Sequence, residues 1–228
     1  MSLLDLLLPE RCAACGHEGA ALCWSCHAAL VRLREPLCER CGAPVAWPVA
    51  RCLECAGRRL GFARARSAVA YEGVAVRVVR AWKQGSRRGL VRLAAEVVCE
   101  VLPRPSADAV AFVPAVLARE LWRGHNPAAR LAGELAQSWD LPLLSLLRRT
   151  TAARPQRGLQ LAERRRNVAG SFAPRAPAPA SLILVDDVYT SGATVAAAAT
   201  ALRLAGAQRV EAVTFARALR DRSLARGR

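Results

Sequence analysis

The sequence predicts an α/β fold, a parallel sheet flanked by helices, with a small metal-bound ribbon domain at its N-terminus. Three observations predict it. Four C-x-x-C pairs are confined to the first quarter of the chain. Beyond Cys55 short apolar strands alternate with amphipathic helices, and one of those strands runs straight into an acidic, hydroxyl-rich turn. With 228 residues and a 53% hydrophobic composition, the chain can bury a core of ordinary size and has room for a small second unit.

The cysteine pairs are Cys12 and Cys15, Cys23 and Cys26, Cys38 and Cys41, Cys52 and Cys55. Each C-x-x-C turn brings two sulfurs to one side of a tight knuckle, and two knuckles supply the four thiolates of a closed structural Zn²⁺ site. Four knuckles therefore predict two zinc sites, in residues 1–58, before a sheet domain over 59–228. The spacing allows sequential or crossed pairing. Gly16 and Gly42 follow the second cysteine of their knuckles, where a positive φ suits glycine. A redox role for the pairs is disfavoured, because no thioredoxin-like strand and helix surround them. With eight cysteines available, His17 and His27 are expected to stay off the metal, and Cys99 is expected to pack as a hydrophobe.

Nine cysteines without a basic leader and signal-type apolar run suit a reducing, cytoplasmic setting. No stretch is long enough to span a bilayer, so no membrane insertion is expected. The formal charge of +16 comes from 33 arginines and one lysine, Lys83, against 18 acids. Eight thiolates on two Zn²⁺ would lower it to +12. Such a field favours polyanions, whether nucleic acid or phosphorylated metabolites. Solvated surface arginine explains part of it equally well.

Period-two and continuous apolar runs predict strands over 67–71, 108–113, 143–147, 182–185 and 210–215. Between them, apolar spacing of three and four predicts helices over 74–82, 90–102, 127–139 and 194–205. Strand-helix alternation implies a parallel sheet covered on both faces, with ligands held beyond the carboxyl ends of its strands. The segment 182–194 reads LILVDDVYTSGAT. Its apolar strand leads to Asp186 and Asp187, then to Thr190, Ser191, Gly192, Ala193 and Thr194 at the start of an alanine-rich helix. A phosphate there would meet free amides, the positive end of the helix dipole and three hydroxyls. The paired carboxylates suit the vicinal hydroxyls of a sugar or a hydrated Mg²⁺. A capped helix with Thr190 or Ser191 as N-cap is the plainer reading, but capping does not call for tandem aspartates. A P-loop is excluded by the lack of G-x-x-x-x-G-K-[ST].

LILVDDVYTSGAT resembles the phosphoribosyl pyrophosphate signature of type I phosphoribosyltransferases. Over most of its length the chain is similar to one branch, the ComF competence family, in which a double zinc ribbon precedes the transferase-like fold. That family's Q-x-x-L-x-x-x-x-R-x-x-N run reads here as Gln156, Leu159, Arg164 and Asn167, followed by Gly170 and Phe172. Its R-G-F-N-Q block, after a strand and proline at Val113 and Pro114, reads Arg123, Gly124, His125, Asn126, Pro127. By this resemblance Asp186 and Asp187 act as the catalytic acidic pair on the ribose hydroxyls, and 190–194 cradles the 5′-phosphate. The stretch 113–124 would be the pyrophosphate loop, with Arg119 and Arg123 as guanidinium contacts. Lys83 is either a ligand contact or a solvated side chain. The arginine-rich stretch 148–166 would close over pyrophosphate or track a nucleic-acid backbone, and 173–180 would be an extended proline-rich connection.

The resemblance implies binding of phosphoribosyl pyrophosphate with Mg²⁺ in DNA uptake for natural transformation, with phosphoribosyltransferase activity as a further capacity. Single-stranded DNA and other DNA-uptake proteins are the partners it implies. Two alternatives are a transferase of nucleotide or amine metabolism, and a zinc-ribbon nucleic-acid-binding protein whose sugar site is vestigial.

Overall fold

The computed structural model describes residues 10–84, 88–150 and 170–219. The arginine-rich stretch from 151 to 169, with Gln156, Leu159, Arg164 and Asn167, lies outside the described residues. The elements are α1 (Trp24–Ala28), β1 (Arg64–Ala70), α2 (Gly73–Gln84), α3 (Arg88–Val101), β2 (Ala109–Phe112), α4 (Leu117–Arg123), α5 (Pro127–Trp139), β3 (Leu143–Leu144), β4 (Leu147–Arg149), β5 (Phe172–Pro174), β6 (Ser181–Tyr189), α6 (Ala193–Leu204) and β7 (Arg209–Arg217).

Five strands form one sheet in the order β1-β7-β6-β2-β3, and every pairing in it is parallel. The architecture is the expected one. The chain steps from β2 outward to β3, then returns to lay β6 on the other side of β2. That reversal opens a crevice beyond the carboxyl ends of β2 and β6, the usual ligand position in such sheets. Both faces of the sheet are covered, as near-continuous apolar strands require. Alternation along β6 sends Ile183 and Val185 into the core under α2, α3 and α5. Leu182 and Leu184 enter the opposite core with α6, Phe172 and the second ribbon.

Helix α5 shows how local sequence aims the site. Asn126 caps it, its Oδ1 accepting from the amides of Ala128 at 3.0 Å and Ala129 at 3.3 Å, and Pro127 stands in the first turn where no amide is needed. Leu131, Leu135 and Trp139, four apart, face the sheet. The same Asn126 donates through Nδ2 to the Val113 carbonyl at 3.2 Å, tying the helix start to the loop that leaves β2.

Two expected elements differ. The apolar run 143–147 is two strands: β3 joins the main sheet, while β4 pairs antiparallel with β5 in a separate ribbon. The polar Ser145 interrupts the run, and the ring of Phe172 in β5 packs under the Arg149 guanidinium, 4.8 Å away. The stretch 113–124 is mostly helix α4, closed by Gly124 with φ 69°, so only 113–116 remains a loop. Its Leu117, Glu120 and Leu121 lie at helical spacing, a short pattern without a capping side chain to announce it.

The ribbons are built into this sheet. Residues 31–33 run antiparallel along the outer edge of β1: Ala70 N–H donates to the Val31 carbonyl and Leu33 N–H to the Ala68 carbonyl, both at 2.8 Å. This covers an otherwise open strand edge. Cys12, Leu22, Cys26 and Leu30 enter one core cluster, and Cys38, Cys41, Ala43 and Cys55 the other. No helix among the described residues is long and apolar enough to cross a membrane.

Candidate functional site: a strand-end acidic pair beside two zinc ribbons

The knuckles pair sequentially. Cys12, Cys15, Cys23 and Cys26 form one group and Cys38, Cys41, Cys52 and Cys55 the other, with the sulfurs of each group within 4.8 Å of one another. Neither His17 nor His27 enters a group. Sulfurs at 3.7 Å (Cys15 to Cys23), 3.6 Å (Cys38 to Cys55) and 3.5 Å (Cys41 to Cys52) match the edge of a ZnS₄ tetrahedron, which is about 3.8 Å for a Zn–S bond of about 2.3 Å. Gly16 and Gly42 take the positive φ expected, 79° and 69°. At Gly42 a side chain would also strike the Ala65 carbonyl of β1, so this glycine lets the knuckle sit against the sheet.

The thiols themselves call for a cation. Burial works against the Cys12 thiolate, but backbone hydrogen bonds from Cys23, Cys15 and Ala14 outweigh it and bring the thiol down to about 6. Burial and then the neighbouring Cys23, Cys15 and Cys12 sulfurs push Cys26 up to about 12. In the second group Cys38 falls to about 7, its backbone bonds overcoming burial, while burial and Cys38 raise Cys55 to about 11. Four thiolates so close ionise together only around a metal, and structural zinc suits both groups. Cys99 is partly buried against the core, and burial raises its thiol.

At the switch crevice β6 continues past Val185 and carries Asp186 and Asp187 within the strand, because β7 pairs with it as far as Arg217. Alternation sends the two carboxylates to opposite faces. Asp187 lies on the side of α2, where its Oδ2 is 2.6 Å from Lys83 Nζ. Asp186 accepts the Asp187 amide at 2.9 Å. Burial, then repulsion from Asp187, pushes its carboxyl up to about 8, against the pull of Lys83 and Arg149. Arg149 also donates through Nε to the Pro114 carbonyl at 3.2 Å, so it links strand β4 to the loop after β2.

The turn that follows leads into α6 through a glycine. Gly192, with φ 71°, is the N-cap of α6 and, as a glycine, offers no capping side chain of its own. Ser191 Oγ accepts a long hydrogen bond from the Ala193 amide, at 3.4 Å, and Thr190 is exposed. A side chain at Gly192 would collide with the Tyr189 hydroxyl. Thr194 is half-buried in the first turn. Of the two arginines expected at the pyrophosphate, Arg123 ends α4 with its Nε buried and without a hydrogen-bond partner among the described residues. Arg119 lies in α4 and its side chain is outside the described residues. His125 lies between two carbonyls, its Nδ1 2.9 Å from that of Arg123 and its Nε2 3.3 Å from that of Trp82, directly before Lys83, and its tautomer decides which of them receives the ring N–H.

Sequence reasoning left Lys83 undecided and treated Arg149 only as part of a basic run. The signal for Lys83 was present: a single lysine in a chain of 33 arginines marks a position where a compact ammonium is preferred to a planar guanidinium. Nothing in the sequence alone pointed to Arg58, whose Nη2 donates to the Ser191 carbonyl at 2.7 Å.

Fold and site together define a class: a parallel-sheet α/β protein with an acidic pair and a glycine-capped helix start at its switch point, carrying two Cys₄ ribbons on one edge. Residues 3–56 match the double zinc ribbon domain family. The chain is 29% identical over 229 residues to DNA utilization protein YhgH of Salmonella typhimurium, spanning 94% of this chain and 100% of that protein. It is 32% identical over 116 residues to Competence protein F of Haemophilus influenzae, spanning 49% and 51% of the two chains. Among solved structures it is similar to a purine phosphoribosyltransferase from Pyrococcus horikoshii, at 16% identity and a TM-score of 0.33 over 56% of this chain and 82% of that one. The resemblance to the ComF competence family holds in these relatives as it does in the motifs.

Proposed function

We propose that the chain binds phosphoribosyl pyrophosphate with Mg²⁺ and acts, like the relatives named for DNA utilization and competence, in the handling of DNA taken up by the cell. The observation that carries this reading is the acidic pair on β6, with Lys83 at 2.6 Å from Asp187, set directly before a helix start whose N-cap is a glycine. Asp186 and Asp187 would accept the ribose hydroxyls, and the amides and hydroxyls of 190–194 would take the 5′-phosphate. Lys83, Arg123 and Arg149 supply positive charge on the side where pyrophosphate and its Mg²⁺ would lie. Bound Mg²⁺ would neutralise pyrophosphate charge. Calorimetric titration tests this: heat is expected from the wild type with ligand and Mg²⁺ and none from Asp186→Asn, Asp187→Asn.

A second reading, phosphoribosyl transfer at the same site, is favoured by the Asp186 carboxyl, which burial and the neighbouring Asp187 push well above the usual carboxylate range. Pyrophosphate released in the presence of amine or nucleobase acceptors would support transfer, and binding without release would support a ligand-sensing role. For the DNA partner, the ribbons expose Trp24 at 82% and Trp47 at 69%, rings able to stack on single-stranded bases within a basic chain. Trp24→Ala with Trp47→Ala is expected to weaken single-stranded DNA binding by about tenfold or more, and unchanged affinity in a gel-shift titration would remove these rings from the account.

A further inference from the structure

The second ribbon reaches the phosphate turn by two routes, and both start at Glu54, inside the fourth knuckle between Cys52 and Cys55. Arg217, the last residue of β7, pairs in register with Tyr189 and is 1% exposed. Its Nη2 donates to Glu54 Oε2 at 2.7 Å and its Nη1 to the Cys41 carbonyl at 2.6 Å. Its guanidinium lies 4.5 Å above the Tyr189 ring, and the Tyr189 hydroxyl fills the space under Gly192. On the second route, the Glu54 carbonyl accepts from Arg58 Nη1 at 3.3 Å, and Arg58 Nη2 donates to the Ser191 carbonyl at 2.7 Å. A buried guanidinium is costly unless its geometry is over-determined, and here it is fixed from three sides. The first ribbon is anchored elsewhere: Arg32 donates to Glu100 of α3 and to the His27 and Leu30 carbonyls.

We propose that the second zinc ribbon clamps the 190–194 turn through Arg217 and Arg58, so that this ribbon, and not the first, sets the order of the phosphate loop. Closure of the Cys38, Cys41, Cys52 and Cys55 group fixes Glu54 and the Cys41 carbonyl. Those two fix Arg217 and Arg58, which hold Tyr189 and Ser191 from below and from the side. Both arginines are positioning residues. The consequence for ligand affinity rests on the reading of this turn as a sugar-phosphate site, but the clamp itself does not.

Hydrogen exchange of the zinc-loaded full chain, free of ligand, tests the clamp in wild type, Arg58→Gln, Arg217→Lys and Arg32→Gln, with zinc content measured in each. Arg58→Gln and Arg217→Lys are expected to retain two zinc ions while amides at 191–196 exchange about tenfold faster or more, the loss of a charge-assisted bond. Arg32→Gln is expected to match the wild type at the turn. If Arg217→Lys fails to fold, Arg58→Gln decides alone, since Arg58 is only half-buried. Wild-type exchange at the turn in Arg58→Gln, or the same acceleration in Arg32→Gln, would overturn the clamp. A wild-type protein that gives no heat with phosphoribosyl pyrophosphate and Mg²⁺ would sink the sugar-phosphate reading while leaving the exchange result to judge the clamp.

Discussion

Strand alternation gives Asp186 and Asp187 opposite surroundings, and their behaviour follows from that. Asp187 has an ammonium at 2.6 Å, whereas Asp186 is enclosed beside a like charge and its carboxyl rises to about 8. Its folded value lies above its unfolded one, so the stability it contributes is complete below about pH 4 and is lost as pH climbs through 8. Asp186→Asn removes that dependence. Without Mg²⁺ the variant is expected to gain on wild type between pH 5 and pH 8, with Tm moving by about 2–4 °C for each kcal/mol recovered. Thermal melts that run parallel across this range would contradict the buried, protonated carboxyl. At Gly192 a side chain needs both a left-handed backbone and the space of the Tyr189 hydroxyl. Gly192→Ala is expected to cost about 1–2 kcal/mol from the backbone alone, visible in denaturant midpoints, and more from the collision. Lys83→Met is expected to weaken phosphoribosyl pyrophosphate binding by about tenfold or more, measured by the same calorimetry, with no loss of zinc.

At the scale of elements, what the sequence revealed depends on how local the cause is. The knuckles were legible because C-x-x-C spacing and a following glycine are enough to make one, but their pairing was not, since it depends on how residues 31–33 dock on β1. Strand β6 and helix α6 were legible as an apolar run and an alanine-rich stretch around a hydroxyl-rich turn. The extension of β6 through Tyr189 was hidden, because it is β7, not local sequence, that supplies the partners. The division of 143–147 arises in the same way, from Phe172 and β5 far along the chain. The ribbons have little apolar content of their own, so metal binding supplies folding free energy on the order of 10 kcal/mol per site. Stripping zinc with a chelator is expected to lower Tm sharply and release two zinc ions per chain. A melt insensitive to the chelator would contradict a structural role for the metal.

For the molecule as a whole, the ribbons and sheet share both cores, and the ribbon chain covers the edge of β1. The expected division at residue 58 therefore separates two zinc sites from a sheet that leans on them, and residues 59–228 alone are expected to expose β1 and aggregate. The site is assembled from distant parts of the chain: Lys83 from the last turn of α2, Arg149 from β4, the acidic pair from β6 and Arg58 from the ribbon. That is why the 182–194 motif alone pointed to a sugar-phosphate turn but not to its neighbours. The most direct test of the central claim is calorimetric titration of phosphoribosyl pyrophosphate with Mg²⁺ into the zinc-loaded protein. Saturable heat in the wild type, abolished in Asp186→Asn, Asp187→Asn with the fold intact, is the predicted result. No heat in the wild type, or equal heat in the double variant, would contradict it.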